Sequence, residues 1–236
     1  MWRLALTALL IAAEPDGYSA ARETMIRDIE QETRATAQWT GKERLSAEVT
    51  AAMRATPRHL FVPALMRPFA YANHPLPIGH GQTISQPFIV AIMTELAQPS
   101  KSARVLEVGT GSGYQAAVLA KLVAEVYTVE IVPELAKEAA GRLRDLGYGN
   151  VHVRAGDGYQ GWPQKAPFDI IIITAAAPQI PAPLIQQLAV GGRLVGPIGP
   201  VAASQDMVLA VKRRDGSLIQ SALFPVRFVP LTRDTH

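Results

Sequence analysis

The chain has 236 residues, 48% apolar and 18% charged, a balance that supports a buried core and excludes a disordered or low-complexity polymer. At about 100–200 residues per domain, the length fits one large domain, or one with an appendage, and not two full ones. The absence of cysteine removes disulfide scaffolds, cysteine zinc sites, iron–sulfur clusters and thiol nucleophiles, and a net charge of +3 without a long Lys/Arg block makes no demand for a nucleic-acid partner.

After Arg3 the apolar run 4–13 (LALTALLIAA) has ten residues, against the roughly 20 that span a bilayer, so no stable membrane insertion is expected. The basic start and the small residues Ser19, Ala20 and Ala21 resemble a secretory signal, and a helix packed on the domain reads similarly. Residues 1–21 are therefore set apart as a signal-like segment or extension, with 22–236 as a single domain. Within it, the pattern separates 22–100, expected as a helical cap followed by a structured loop, from 101–236, expected as a sheet that ends in further C-terminal strands. Residues 20–39 carry Met25, Ile26 and Ile29 at helical spacing and stop at Gly41. A second amphipathic stretch, 43–55, places Leu45, Val49 and Met53 at four-residue steps before Pro57. Pro75, Pro77, Gly79 and Gly81 then exclude a regular helix or a central strand, leaving a structured loop of the kind that carries function.

From Arg104 the pattern changes. RVLEV, EVYTVEI, VHVRA and FDIIIIT read as strands, with helices between them at 115–123, 133–146 and 181–188. Ile170 to Ile173 is apolar at every position, as a central parallel strand covered on both faces requires. RLVGPI, MVLAVKR and SALFPVRFV follow with few helical residues between, so the sheet should finish with antiparallel strands.

Gly109, Gly111 and Gly113 follow a strand and open a helix, where glycine allows a tight turn and close approach of a cofactor to free amides. The next strand ends in Glu130, placed to accept both hydroxyls of an adenosine ribose. The glycines run G-x-G-x-G, not the G-x-G-x-x-G of a dinucleotide fold, and Glu107 precedes the first by two. A carboxylate there repels a pyrophosphate and favours a cation, which argues for S-adenosylmethionine over NAD, with Glu107 holding the methionine ammonium directly or through water. Gly156 and Asp157 follow the third strand, with Asp157 able to accept from the adenine amine; a plain turn explains Gly-Asp-Gly in isolation.

GQTISQP (81–87), LEVGTGSGY (106–114), GDGYQGW (156–162), TAAAPQIP (174–181), GGRLVGPIG (191–199) and FVPLT (228–232) together resemble the protein-L-isoaspartate O-methyltransferase family. The resemblance runs from about residue 26 to 232. It implies an α/β, Rossmann-like class I S-adenosylmethionine-dependent methyltransferase, with a mostly parallel twisted sheet, helices on both faces and an N-terminal helical cap. It further implies methyl transfer to the free α-carboxylate of L-isoaspartyl residues in damaged proteins and peptides, after which the ester cyclises to a succinimide. The family's serine falls on Ser85 as the catalytic residue. Cofactor positions fall on Gln82, Thr83, Ile84, Glu107, Gly109, Gly111, Glu130, Gly156, Asp157 and Thr232, while Val90 stands where some eukaryotic members carry a histidine.

A carboxylate with a reference pKa near 4 needs no general base, so the site's task is orientation, which can lower a barrier by several kcal/mol. Ser85 can donate a hydrogen bond that aims the carboxylate, or it can cap the helix that starts near Pro87. The substrate is expected to be read through backbone more than side chains, with Ala176, Ala177 and Pro178 as small walls for close approach on one side and Val229 and Pro230 lining the other. Tyr71 is a candidate lid. His59, His74, His80, His152 and His236 show no metal-ligand spacing, so no metal is expected. A monomer in the cytoplasm is expected, with a periplasmic location if residues 1–21 are cleaved. A small-molecule methyltransferase and a non-catalytic cofactor-binding module are the competing readings; no basic, aromatic stripe for an extruded base is visible.

Overall fold

The computed structural model describes residues 17–233, so the signal-like run 4–13 and His236 lie outside the described residues. Ser19, Ala20 and Ala21 open helix α1 (Ser19–Ala35), whose buried Met25, Ile26, Ile29 and Thr33 form one stripe of helical period. Thr36 ends α1, a single turn α2 (Ala37–Thr40) follows, and Gly41 closes it in the left-handed region at φ 67°.

The helix expected from residue 43 begins instead at Ala47, as α3 (Ala47–Ala55). Ser46 caps it by accepting from the Val49 N–H at 3.3 Å. The Ser46 N–H and hydroxyl both donate, at 2.8 Å, to Glu95 of α4 (Pro87–Ala97), and Lys42 adds an ion pair to Glu95 at 3.2 Å. Those bonds hold the chain in a non-helical path up to Ser46, and Leu45 is buried from outside the helix.

The loop expected over residues 75–81 is instead part of a small hairpin. Strands β1 (Leu76–Gly79) and β2 (Gln82–Ile84) pair antiparallel, apart from the main sheet. His80 and Gly81 make the turn with φ 52° and 69°, the double positive φ that matches the twist of paired strands. The prolines do keep this segment out of the central sheet.

The main sheet comprises β3 (Arg104–Val108), β4 (Glu125–Glu130), β5 (Val151–Ala155), β6 (Phe168–Ile173), β7 (Leu188–Ile198), β8 (Gln205–Lys212) and β9 (Leu218–Val226). Its spatial order is 5-4-3-6-7-8-9. Strands β5 through β7 in that order are parallel, and β8 and β9 finish it antiparallel, as the periodicities predict. Pro225 sits in β9 at the edge, where a missing donor is tolerated. Side-chain alternation divides the core. Val105, Val126, Ile170 and Ile172 pack with α1, α3, α4, α5 (Tyr114–Ala120) and α6 (Pro133–Asp145). Leu106, Val108, Ile171 and Ile173 pack on the other face with Leu184 of α7 (Ala182–Gln187). Among the described residues no helix is long and apolar enough to cross a membrane. Strand order reverses between β3 and β6, and open α/β sheets bind ligands outside the carboxyl ends at such a switch point.

Candidate active site

A narrow cavity of about 70 Å³ opens at that point. The hairpin contributes Gln82, Thr83 and Ile84, with Ser85 directly after it, and the sheet contributes Glu107, Gly109, Gly111 and Glu130; Thr232 closes the far side. Eight of the ten expected cofactor positions thus meet around one space. Gly156 and Asp157 are not in its lining. Asp157 is drawn back to cap a turn, its Oδ1 accepting from the Tyr159 N–H at 2.8 Å, and Gly158 lines the cavity instead. A Cβ on Gly158 would stand 2.7 Å from Val108 Cγ1 and 3.2 Å from Leu231 Cδ1, so only glycine fits between those two walls.

The glycine loop has the geometry its composition implies. Gly109, Gly111 and Gly113 take φ of 99°, 50° and 85°, and a Cβ on Gly109 would collide with the Thr174 hydroxyl. That hydroxyl donates to the Gly109 and Val108 carbonyls at 2.6 and 2.9 Å, locking the end of β3 against the end of β6. Glu130 accepts from Gly111 N–H at 2.7 Å and from Val132 N–H at 3.1 Å. Each carboxylate oxygen keeps a further lone pair for a ligand hydroxyl.

Glu107 is fully buried, and neither carboxylate oxygen has a hydrogen-bond partner. Burial pushes its pKa up to about 8; the Thr128 hydroxyl, which is engaged with Thr110 at 2.7 Å, offsets this only in part, and Glu130 adds to it. An orphaned acid is costly, and here it stands on the wall of a cavity. A cationic ligand group satisfies it, whereas a pyrophosphate would bring more negative charge to the same place. The donor set therefore fits S-adenosylmethionine: Glu107 for the ammonium, the glycine loop for close approach, Glu130 for the ribose.

Ser85 does not cap α4. The N-cap residue is Gln86, and the Phe88 N–H in the first turn takes Asn73 Oδ1 at 3.0 Å. Ser85 instead lies on the wall between the first cavity and a second one of 720 Å³, sharing that wall with Thr83, Thr174 and Val229. Its carbonyl accepts from Arg58 Nη2 at 2.7 Å, while Arg58 Nε donates to the Ala70 carbonyl at 2.8 Å. The Arg58 guanidinium lies 4.8 Å from the centre of the Tyr114 ring, which itself lines the first cavity. Sequence reading missed Arg58; its one signal is a cation inside the apolar stretch PRHLFVP.

Ala176 and Ala177 do not stand as walls open to a substrate, because both are buried and paired within the chain. The Ala176 N–H donates to the Val229 carbonyl and its carbonyl accepts from Leu231 N–H, each at 2.8 Å; Ala177 is paired likewise with Pro197 and Gly199. Pro178 is exposed and lines neither cavity. Val229 and Pro230 do reach the first cavity, and Ala175 is also in its lining. Tyr71 is no lid: it is buried, its hydroxyl 2.8 Å from His59 Nδ1 and accepting from Arg22 at 3.1 Å. His152 pairs with Glu125, and among the described residues no group of three or more potential ligands is placed to hold a metal.

This sheet, with its glycine loop and two carboxylates, defines a Rossmann-like class I S-adenosylmethionine-dependent methyltransferase. The family model described as protein-L-isoaspartate(D-aspartate) O-methyltransferase matches residues 36–236. The chain is 54% identical over 222 residues to protein-L-isoaspartate O-methyltransferase 1 of Nitrosospira multiformis, covering 94% of this chain and 90% of that one. It is 61% identical over 186 residues to the Gloeobacter violaceus protein-L-isoaspartate O-methyltransferase, covering 79% and 90%. A solved protein-L-isoaspartate O-methyltransferase superposes with a TM-score of 0.77 at 28% identity over 89% of this chain, which spans 66% of that structure's chain. A Plasmodium falciparum structure described as a complex with S-adenosyl-L-homocysteine shares the fold, at 23% identity and a TM-score of 0.74, covering 92% of this chain and 99% of that one. The chain belongs to the protein-L-isoaspartate(D-aspartate) O-methyltransferase family.

Proposed function

We propose that the chain repairs damaged proteins by methylating the free α-carboxylate of L-isoaspartyl residues, with Ser85 as the group that orients that carboxylate. The observation that carries this reading is the position of Ser85 on the wall shared by the two cavities. On this reading one cavity holds the cofactor and the other admits the damaged chain. When bound, S-adenosylmethionine supplies a methyl group carried on a positively charged sulfur. Glu107 and Glu130 hold its two polar ends, and Gln82, Thr83, Ile84 and Thr232 close over it. Gly156 and Asp157 belong to the adenine side, where Gly158 already stands at the cavity. Ser85 donates its hydroxyl hydrogen to one oxygen of the substrate carboxylate and so aims the other at the cofactor cavity. The carboxylate is ionised at neutral pH, with a reference pKa near 4, so the site needs to hold and align it rather than remove a proton.

Val229 and Pro230 flank the damaged residue; Ala176 acts from behind by fixing residues 229–231 in place, and Ala177 by pairing with Pro197 and Gly199. The enzyme works as a monomer in the cytoplasm, where its cofactor is made. Sedimentation and N-terminal sequencing of protein from its host check those two points. For the activity itself, an isoaspartyl peptide should be methylated and its aspartyl twin left untouched, and equal labelling of the two would reject the reading. Ser85→Ala should lower kcat on the isoaspartyl peptide by about 10- to 100-fold, the range for loss of one orienting hydrogen bond, with KM for the cofactor held within about twofold.

A further inference from the structure

The second cavity, at 720 Å³, is far larger than a carboxylate and one methylene require. Its outer wall is Trp39 on α2, an indole left half exposed. A large aromatic held at the mouth of a pocket is the usual signature of a binding contact, since water gains nothing from it and a partner side chain does. Trp39 is held there by construction: α2 is one turn long, clamped between the end of α1 at Thr36 and the left-handed Gly41. Pro75, Pro225 and Phe228 add further apolar surface to the lining, and Arg227 is its one cation. Glu32 is the one acid in the lining, and its Oε2 is tied down by the side-chain amides of Asn73 at 2.7 Å and Gln86 at 2.9 Å.

We infer that this cavity is a side-chain subsite that takes a large apolar or aromatic residue adjoining the isoaspartyl, with Trp39 as its specificity-determining wall. The inference rests on the activity proposed above. The space is continuous with the reacting position, because Thr83, Ser85, Thr174 and Val229 belong to both cavities. A residue in the second is therefore a near neighbour of a carboxylate at Ser85. Such side chains are buried in intact proteins, so the subsite selects isoaspartyl sites whose surroundings have also unfolded.

The test uses isoaspartyl hexapeptides carrying Phe or Gly next to the damaged residue, on each side in turn, with the full-length enzyme and its Trp39→Ala and Trp39→Phe variants. On one side the Phe peptide should show a KM at least about tenfold below that of its Gly counterpart, the worth of one well-buried aromatic contact. That ratio should fall to within about twofold in Trp39→Ala and be partly kept in Trp39→Phe. Equal KM values for Phe and Gly in the parent enzyme, or a ratio untouched by Trp39→Ala, would overturn the subsite while leaving the activity standing. A dimer in sedimentation that Trp39→Ala dissolves would assign the wall to a second copy of the chain and also overturn it. No methylation of any isoaspartyl peptide would reject the underlying activity, and the subsite with it.

Discussion

Glu107→Gln is expected to bind S-adenosylmethionine at least about tenfold more weakly, a loss of 1.4 kcal/mol or more, and yet to be the more stable protein at pH 8 without ligand. The reason is the buried, unpartnered carboxylate. Unfolded, the group titrates near its ordinary 4.5; folded, burial raises it to about 8. The folded state therefore binds more protons between those values, so the stabilisation is complete below pH 4.5 and is lost as pH rises towards 8. An amide has no such slope. The difference at pH 8 should be on the order of 2–4 kcal/mol in favour of the variant, read from thermal melts of ligand-free protein across pH 5–9. Calorimetry adds an independent check: at pH 6.5 the parent should release close to one proton as the cation draws Glu107 into its charged form, and Glu107→Gln should release none. Matching pH slopes and matching affinities in the two proteins would end this account of the site.

Arg58→Met is expected to damage both stability and catalysis. A fully buried guanidinium holds two carbonyls from separate segments, those of Ala70 and Ser85. Removing it leaves both without a donor, which should cost about 2–4 kcal/mol, measurable as a lower urea midpoint. Arg58→Lys separates positioning from folding. An ammonium can meet one carbonyl but cannot reach both in a fixed fork, so much of the stability should return while Ser85 stays free to shift. We expect kcat on an isoaspartyl peptide to fall about tenfold or more in Arg58→Lys, with a smaller change in peptide KM. Equal kinetics in the Lys variant and the parent would show that Arg58 is a packing group alone.

The parts of the molecule governed by local pattern are legible in the sequence. The parallel core, its antiparallel finish and the meeting of Glu107, the glycines and Glu130 all follow from strand periodicity and from what a tight turn demands. The start of α3 was not legible, because it is decided by bonds from Ser46 to Glu95, 49 residues away. Helix periodicity carries no trace of such a partner. The hairpin at 76–84 was hidden for a different reason: its prolines argue against a strand in a sheet, and a two-stranded ribbon with free edges escapes that argument. Ala176 and Ala177 misled because small residues suggest room for a guest, while their backbone groups had already been claimed by residues 229–231 and 197–199. Arg58 and Trp39 lay below notice because each matters through what it faces across space.

The pairing of Ala176 bears on how the site comes together. Val229 to Thr232 roof the cofactor chamber and are stitched to Ala176, so every strand of the main sheet must have been synthesised before the chamber can close. A chain stalled after β9 would carry Glu107, Glu130 and the glycines of the site and still lack its ceiling, which residues beyond the last strand supply.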